Sequence, residues 1–99
     1  MTESIGAVMT AVLNIPSGLQ PLLNGFNAVE LPCCPLGEAL SQLDIEFPGV
    51  KDRLIDEHGE IHAFINIFVN GDDVTFLQGL YTPLADGDQV DIVPAIAGG

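Results

Sequence analysis

The chain has 99 residues, 47% of them hydrophobic, and its 14 acidic and two basic residues give a formal net charge of −12 at pH 7. This length and apolar content predict one domain over residues 1–99 and exclude a disordered chain. The charge disfavours binding to nucleic acid or to an anionic membrane and favours a basic protein partner. Simple solubility, or adaptation to a salty cytoplasm, is the alternative explanation.

Residues 1–18 are predicted to contain a lead-in, a strand and a turn. Residues 1–6 are expected to be loose, and because they lack the basic start of a signal peptide, a cytoplasmic location is expected. Apolar residues alternate over residues 7–15, which predicts a strand with one face formed by Met9, Ala11, Leu13 and Ile15. Pro16, Ser17 and Gly18 then break the strand.

A turn, a short strand and the main helix are predicted next. Asn24-Gly25 indicates the turn, and residues 26–31 indicate the strand. Pro35 suits the first position of a helix that Pro48-Gly49 ends. The helix is amphipathic, because apolar residues recur at helical spacing at Leu36, Leu40, Leu43 and Phe47. Val50, Leu54 and Ile55 predict one more helical turn.

The C-terminal part is predicted to alternate strands and tight turns. Residues 61–69 have the strongest strand pattern, Asn70-Gly71 favours a hairpin turn, and residues 74–76 are expected to return as a brief strand. Residues 84–88 predict a tight turn with Gly87 at positive φ. The last strand covers residues 89–93, and its pairing is expected to end at Pro94, which has no N–H to donate.

This order of elements predicts an α+β fold in which one main helix packs on one face of a mixed sheet. We expect the first and last strands to lie side by side and parallel in the middle of the sheet. That arrangement is a β-grasp (ubiquitin-like) fold, with a flexible C-terminal tail over residues 95–99.

The tail has no charged side chain and ends in Gly98-Gly99. Fully extended, it would reach about 17 Å beyond the body. Two glycines fit a channel too narrow for any Cβ, so the tail would present one functional group, the carboxylate of Gly99. The pattern predicts the substrate of an activating enzyme, with a frayed glycine-rich terminus as the alternative.

Two cysteines and two histidines are the other candidates for chemistry. Cys33 and Cys34 are adjacent between prolines, an arrangement that rarely forms a disulfide, and no base for a catalytic thiol is visible. His58 and His62 are separated by Gly59 among other residues, which disfavours a shared helical face. We therefore predict no metal site, no cofactor bound by this chain and no independent enzyme activity, since paired carboxylates and a catalytic triad are also lacking.

Several motifs of the C-terminal third together point to a known family. Residues 64–74 are followed by Gly79-Leu80, by residues 82–84, by Asp86-Gly87-Asp88, and by residues 90–99. In this order and spacing they resemble the ubiquitin-like sulfur carriers of the MoaD/ThiS family. The resemblance is looser over the first two-thirds of the chain.

The resemblance implies a reaction cycle at Gly99, with Ala97 and Gly98 as the rest of the reactive tail. An E1-like enzyme would adenylate the Gly99 carboxylate with ATP and magnesium. Both belong to that partner, since this chain has no phosphate-binding glycine loop. A sulfur donor would then replace AMP to give a thiocarboxylate, which passes its sulfur to an acceptor.

Residues 50–62 resemble most the CysO-type carriers of cysteine biosynthesis, and also MoaD-related archaeal and bacterial proteins of uncertain pathway. The CysO type implies a cysteine-synthase-like acceptor and a zinc metallopeptidase that frees cysteine from the tail. The small subunit of molybdopterin synthase, whose tail inserts into a large subunit, is the alternative. Ala97 disfavours the thiamine carriers, which commonly end in three glycines.

Strand alternation also predicts a docking face. The alternating apolar residues of three strands are expected to point to the helix: Met9, Ala11, Leu13, Ile15, Ile65, Ile67, Val69, Val90 and Ile92. If they do, Val12, Phe68 and Val93 point outward on those adjacent strands. We expect them to form one apolar patch near the tail, rimmed by acidic residues, on which the activating and acceptor enzymes dock. Partial covering of Phe68 by a loop is the alternative.

Two other function classes fit the same sequence. A ubiquitin-like protein modifier, conjugated to lysines through Gly99, would use the same activation. A β-grasp interaction domain with an incidental tail would need neither Gly98 nor Gly99, so deletion of both would change nothing.

Overall fold

The computed structural model describes residues 9–94, and within them five strands form one mixed sheet. The strands are β1 (Thr10–Asn14), β2 (Ala28–Pro32), β3 (Ile65–Val69), β4 (Asp72–Asp73) and β5 (Gln89–Pro94). Their order across the sheet is β2-β1-β5-β3-β4. The predicted lead-in over residues 1–6 and the predicted tail over residues 95–99 lie outside the described residues.

The first and last of these strands are neighbours in the middle of the sheet. β1 and β5 run parallel, with Leu13 opposite Val90 and Asn14 opposite Asp91. The other three pairs, β1 with β2, β5 with β3 and β3 with β4, are antiparallel. The β-grasp topology predicted from the order of elements is therefore confirmed.

The main helix is α1 (Leu36–Glu46), and a short helix, α2 (Val50–Leu54), follows it. Pro35 was predicted to be the first helical residue, but it has extended backbone angles, φ −57° and ψ 144°, and is the N-cap instead. The backbone N–H groups of Gly49 and Lys51 both donate to one carboxylate oxygen of Asp44, at 3.1 and 3.0 Å. These two bonds fix α2 against the end of α1.

The hydrophobic core lies between α1 and one face of the sheet. The four predicted helix positions, Leu36, Leu40, Leu43 and Phe47, are all buried. From the strands, Ala11, Leu13, Ile67, Val69, Val90 and Ile92 are buried as well. Met9 was predicted to share this face but is 59% exposed, because β1 begins only at Thr10 and Met9 lies outside the ladder.

Two predicted strands were wrong in part. Residues 61–64 precede β3 in a turn, in which His62 N donates to the Leu54 carbonyl at 3.0 Å and Ile65 N to the His62 carbonyl at 3.1 Å. Residues 74–76 form a 3-10 turn, because the Asp73 carboxylate accepts hydrogen bonds from the backbone N and Oγ1 of Thr75 at 2.9 and 2.8 Å. The returning strand is therefore limited to β4.

The two turns predicted in the C-terminal part, at Asn70-Gly71 and at residues 84–88, are confirmed and are hydrogen-bonded to each other. Asn70 and Gly71 have φ values of 53° and 89°, as a type I′ hairpin turn requires, and Gly87 has φ 85°. Asp88 accepts hydrogen bonds from the side-chain amide of Asn70 at 2.9 Å and from the backbone N–H of Ala85 at 2.8 Å. These two bonds lower the pKa of the Asp88 carboxyl below its usual range, and the bond from Ala85 has the larger effect.

Asp88→Asn is expected to lower the free energy of unfolding at pH 7 by about 1 kcal/mol, because the charged acceptor of two hydrogen bonds is lost. A carboxyl whose pKa is lowered by folding contributes stability above its unfolded pKa of about 3.9 and loses it as pH falls through the folded value. Urea denaturation at pH 7 and at pH 3 should therefore show a smaller difference in stability between wild type and variant at pH 3 than at pH 7.

The control for this prediction is Asp72→Asn, which removes the same charge at an exposed position on β4. It should leave the urea midpoint nearly unchanged at pH 7. Equal losses in the two variants would mean that net charge, and not the Asp88 bonds, sets the effect.

Candidate functional site

The candidate tail leaves the described body at the end of β5. Pro94 is opposite Ile65 on β3, so the pairing of β5 with β3 includes Pro94, the residue at which the sequence predicted that pairing ends. Ala97, Gly98 and Gly99 lie outside the described residues, and their assigned roles stay predictions. The body contributes the base of the tail: a central strand paired with β1 on one side and β3 on the other.

The outer face of the sheet contains the predicted docking residues. Val12 and Phe68 are half-buried, and Val93 is 42% exposed. Phe68 and Val93 line one shallow depression together with Asn14 and Asp91. Val12 is not among its lining residues, so the structure brings two of the three predicted residues together.

Polar side chains separate Val12 from Phe68 on this face. Asp91 is opposite Phe68 on one side and Asn14 on the other. The Asn14 amide donates to the Asp91 carboxylate at 2.8 Å and to Gln89 Oε1 at 3.2 Å. The single apolar patch predicted from alternation is therefore corrected to an apolar depression at Phe68 and Val93, with Val12 beyond a hydrogen-bonded polar row.

The depression has acidic neighbours, as predicted. Phe68 is opposite Asp91 on β5 and opposite Asp73 on β4, so carboxylates flank its ring on both sides of β3. A partner surface that fits this arrangement would place an apolar group over Phe68 and basic side chains around it.

The two cysteines are free and half-buried. Burial raises the pKa of the Cys33 thiol, and the nearby carboxylates of Asp86 and Asp88 raise it further. Burial and then Glu38 raise the pKa of the Cys34 thiol. Both shifts reduce the thiolate fraction, which agrees with the interpretation that neither cysteine is a nucleophile.

The histidines occupy different local environments. The His62 ring stacks on Phe64 with 4.9 Å between centroids, and its Nε2 lies 3.1 Å from the Asp52 carbonyl, whereas His58 is exposed in a turn. Among residues 9–94, no three His, Cys, Asp or Glu side chains are grouped to hold a metal ion. Neither of the described helices has the length and apolar character needed to cross a membrane.

A cavity that the sequence did not predict lies next to the base of the tail. It has a volume of about 360 Å³ and lies between β5, the start of β3, α2 and the turn after β1. Pro94 lines it, with Leu19, Phe64, Ile65, Arg53 and His62. These residues come from separate segments, so no local pattern shows the cavity. Phe64, which the sequence placed inside the strand predicted over residues 61–69, lies outside β3 and is 48% exposed.

Comparisons with known proteins extend this picture. Residues 24–99 match the ThiS family. The chain is 42% identical to the sulfur carrier protein CysO of Mycobacterium tuberculosis over 93 residues, which cover 92% of this chain and 100% of that protein. Small archaeal modifier protein 3 of Haloferax volcanii is 41% identical over 64 residues, which cover 65% of this chain and 68% of that protein.

Solved structures share the fold. The crystal structure of Mycobacterium tuberculosis CysO superposes with a TM-score of 0.82 at 40% identity, covering 87% of this chain and 99% of CysO. A chain of the crystal structure of the Amycolatopsis orientalis BexX/CysO complex superposes with a TM-score of 0.83 at 36% identity, covering 90% of this chain and 99% of that chain.

Proposed function

The chain belongs to the ThiS family, and from this premise we propose that it is a sulfur carrier of the CysO type. The observation that carries the proposal is the 42% identity to CysO over the full length of that protein. The family match extends through Gly98-Gly99, the pair from which the carrier chemistry was predicted. In this role the chain is a small carrier protein that other enzymes act on, and not a catalyst.

In the proposed cycle an oxygen of the Gly99 carboxylate attacks the α-phosphorus of ATP on an E1-like enzyme, and pyrophosphate leaves. A carboxylate is a poor electrophile, and the bond to AMP supplies the missing leaving group. Sulfide supplied by the sulfur donor then attacks the acyl carbon, and AMP leaves with the oxygen. The product is a thiocarboxylate, and ATP and magnesium are bound by the enzyme throughout.

The contribution of this chain is to present the reacting group. Gly98 and Gly99 have no Cβ, so the acyl carbon can approach the bound nucleotide through a narrow channel. The net charge of −12 draws the chain toward a basic enzyme surface and raises the association rate at low salt. A cytoplasmic location fits this use of ATP.

The proposed acceptor is a cysteine-synthase-like enzyme, with a zinc metallopeptidase that releases the product from the tail. The similarity to CysO supports this choice. The large subunit of a molybdopterin synthase is the second candidate acceptor, since the MoaD branch of the resemblance uses the same thiocarboxylate.

Intact mass spectrometry tests the proposal directly. Incubation of the full chain with ATP, magnesium, an E1-like enzyme and a sulfide source should add the mass difference between one sulfur and one oxygen. Reactions without ATP are the control and should show no change. If several E1-like enzymes give no such gain, and lysine-linked adducts form with other proteins instead, the chain is a protein modifier, as the name of the Haloferax volcanii relative indicates for that protein.

Phe68→Thr is expected to lower the rate of this conversion at least about tenfold at subsaturating carrier, because the ring is the apolar centre of the proposed docking depression. Thr is neutral and favours strands, so β3 should stay folded. Asp at this position would add a third carboxylate beside Asp73 and Asp91, and its effect would mix docking with repulsion.

The matched control is Phe76→Thr, the same change at a ring that is 86% exposed in the 3-10 turn after β4. This variant should be converted at the wild-type rate. Equal rates for the Phe68 and Phe76 variants would show that Phe68 is not part of the docking surface.

A further inference from the structure

The cavity beside the base of the tail has the composition of a receptor for one apolar side chain. Most of its lining residues are apolar, with Leu19, Phe64, Ile92 and Pro94 among them. Three others, Asp52, Arg53 and His62, are polar or charged. Its volume of about 360 Å³ is enough to admit one large apolar side chain.

The length of the tail limits what can cover this cavity. Five residues, 95–99, follow Pro94, and fully extended they reach about 17 Å. An enzyme that holds the Gly99 carboxylate at its nucleotide therefore has that nucleotide within about 17 Å of Pro94. Because Pro94 is itself part of the cavity wall, the cavity is within reach of the same enzyme surface.

Charge identifies the chemistry of the occupant. Arg53 is one of two basic residues in the chain, and the other, Lys51, donates to Ser41 Oγ at 2.7 Å. An exposed guanidinium beside apolar lining residues suits a partner carboxylate, which it can bind through two parallel hydrogen bonds. A second copy of this chain is a poor occupant, because two bodies of charge −12 repel each other.

We propose that this cavity receives an apolar side chain of the activating enzyme, with an adjacent carboxylate of that enzyme bound to Arg53. The site is separate from the depression at Phe68 and Val93, which lies on the outer face of the sheet. The two share the wall residues Pro16 and Ile92. The enzyme thereby contacts the body on both sides of the base of the tail. This inference rests on the proposed function.

Gly18→Leu tests the inference by adding a large apolar side chain to the wall of the cavity. A Cβ added at Gly18 meets no atom within 4 Å, and Gly18 does not have the positive φ that would strain another residue. With an E1-like enzyme that converts the wild-type chain as the probe, we expect Kd for the variant to rise at least about tenfold. Ser17→Leu adds the same side chain at the neighbouring exposed position and should bind as wild type.

A second variant tests the charged residue Arg53, and its result does not depend on whether the Gly18→Leu variant folds. Arg53→Gln changes an exposed side chain and should raise Kd several-fold at low salt, with the difference from wild type shrinking as salt is added. Urea midpoints equal to wild type would establish that all three variants are folded.

The possible outcomes distinguish a failure of the docking site from a failure of the proposed function. Wild-type affinity of Gly18→Leu for the enzyme would overturn the cavity as a docking site, whatever the enzyme does at Gly99. Failure of every E1-like enzyme to convert the wild-type chain would overturn the proposed function, and this inference with it. Weakened binding by Gly18→Leu and Arg53→Gln, with normal binding by Ser17→Leu, is the result expected.

Discussion

Deletion of Gly99 is expected to lower the rate of thiocarboxylation at least about a hundredfold, because misplacement of a reacting atom by even 1 Å can cost that much. After the deletion the carboxylate belongs to Gly98 and is about 3.5 Å closer to the body. It can no longer occupy the position that the full tail reaches at the bound nucleotide. Intact mass against time, with the activating enzyme in fixed amount, measures the effect.

Two matched deletions show whether reach or the identity of the last residues matters. Deletion of Ala97 shortens the tail by the same step but keeps Gly98-Gly99 at its end, and we expect a similar loss. Deletion of Thr2 shortens the chain at the opposite terminus and should have no effect. If the chain without Ala97 is converted normally, reach is not limiting, and the requirement lies in the glycine pair itself.

Leu40→Ala is expected to lower the free energy of unfolding by about 2–5 kcal/mol, the cost typical of a truncated core leucine. Leu40 is completely buried in the middle of α1, on the face that packs against the sheet. Ala favours helices more than Leu, so the loss would come from packing and not from the helix itself. Because domains of this size are stable by about 5–15 kcal/mol, urea denaturation should show a large shift of the midpoint.

Ile45→Ala on the same helix is the control for Leu40→Ala. Ile45 is 80% exposed, and its truncation should change the free energy of unfolding by no more than about 0.5 kcal/mol. Equal destabilisation by the two variants would mean that α1 is not packed against the sheet as described.

The parts of the fold that follow from short-range patterns were predicted from the sequence. Apolar spacing identified the buried face of α1, and Asn70-Gly71 and Gly87 identified the turns that require positive φ. These signals depend only on neighbours a few residues apart, so tertiary contacts did not change them. The central parallel pair of β1 and β5 followed from the order of elements as a whole.

Two predicted strands were wrong in part because specific hydrogen bonds, which a sequence pattern does not encode, hold those residues outside the sheet. Residues 61–64 have strand composition, but the bond from His62 N to the Leu54 carbonyl holds them against α2. Residues 74–76 also have strand composition, but the carboxylate of Asp73 bends them into a 3-10 turn. In both segments specific polar contacts outweigh a weak preference for strand.

The candidate site was predicted less completely than the fold. Alternation placed Phe68 and Val93 on the outer face, but it could not show that Asn14 and Asp91 would bond across β1 and β5 and isolate Val12. The cavity lined by Arg53 and Phe64 was not predicted at all, since it exists only when distant segments pack.

The central position of β5 links display of the tail to synthesis of the whole chain. Asn14 and Asp91 are 77 residues apart in sequence, yet they are bonded across adjacent strands. Until residues 89–94 have been synthesised, the strand that pairs with both β1 and β3 is absent. Contacts this distant in sequence slow folding, and the sheet cannot close before β5 has been made. A chain that ends before β5 would thus lack both the tail and the folded surface beside it, so the activating enzyme of the proposed cycle would not engage it.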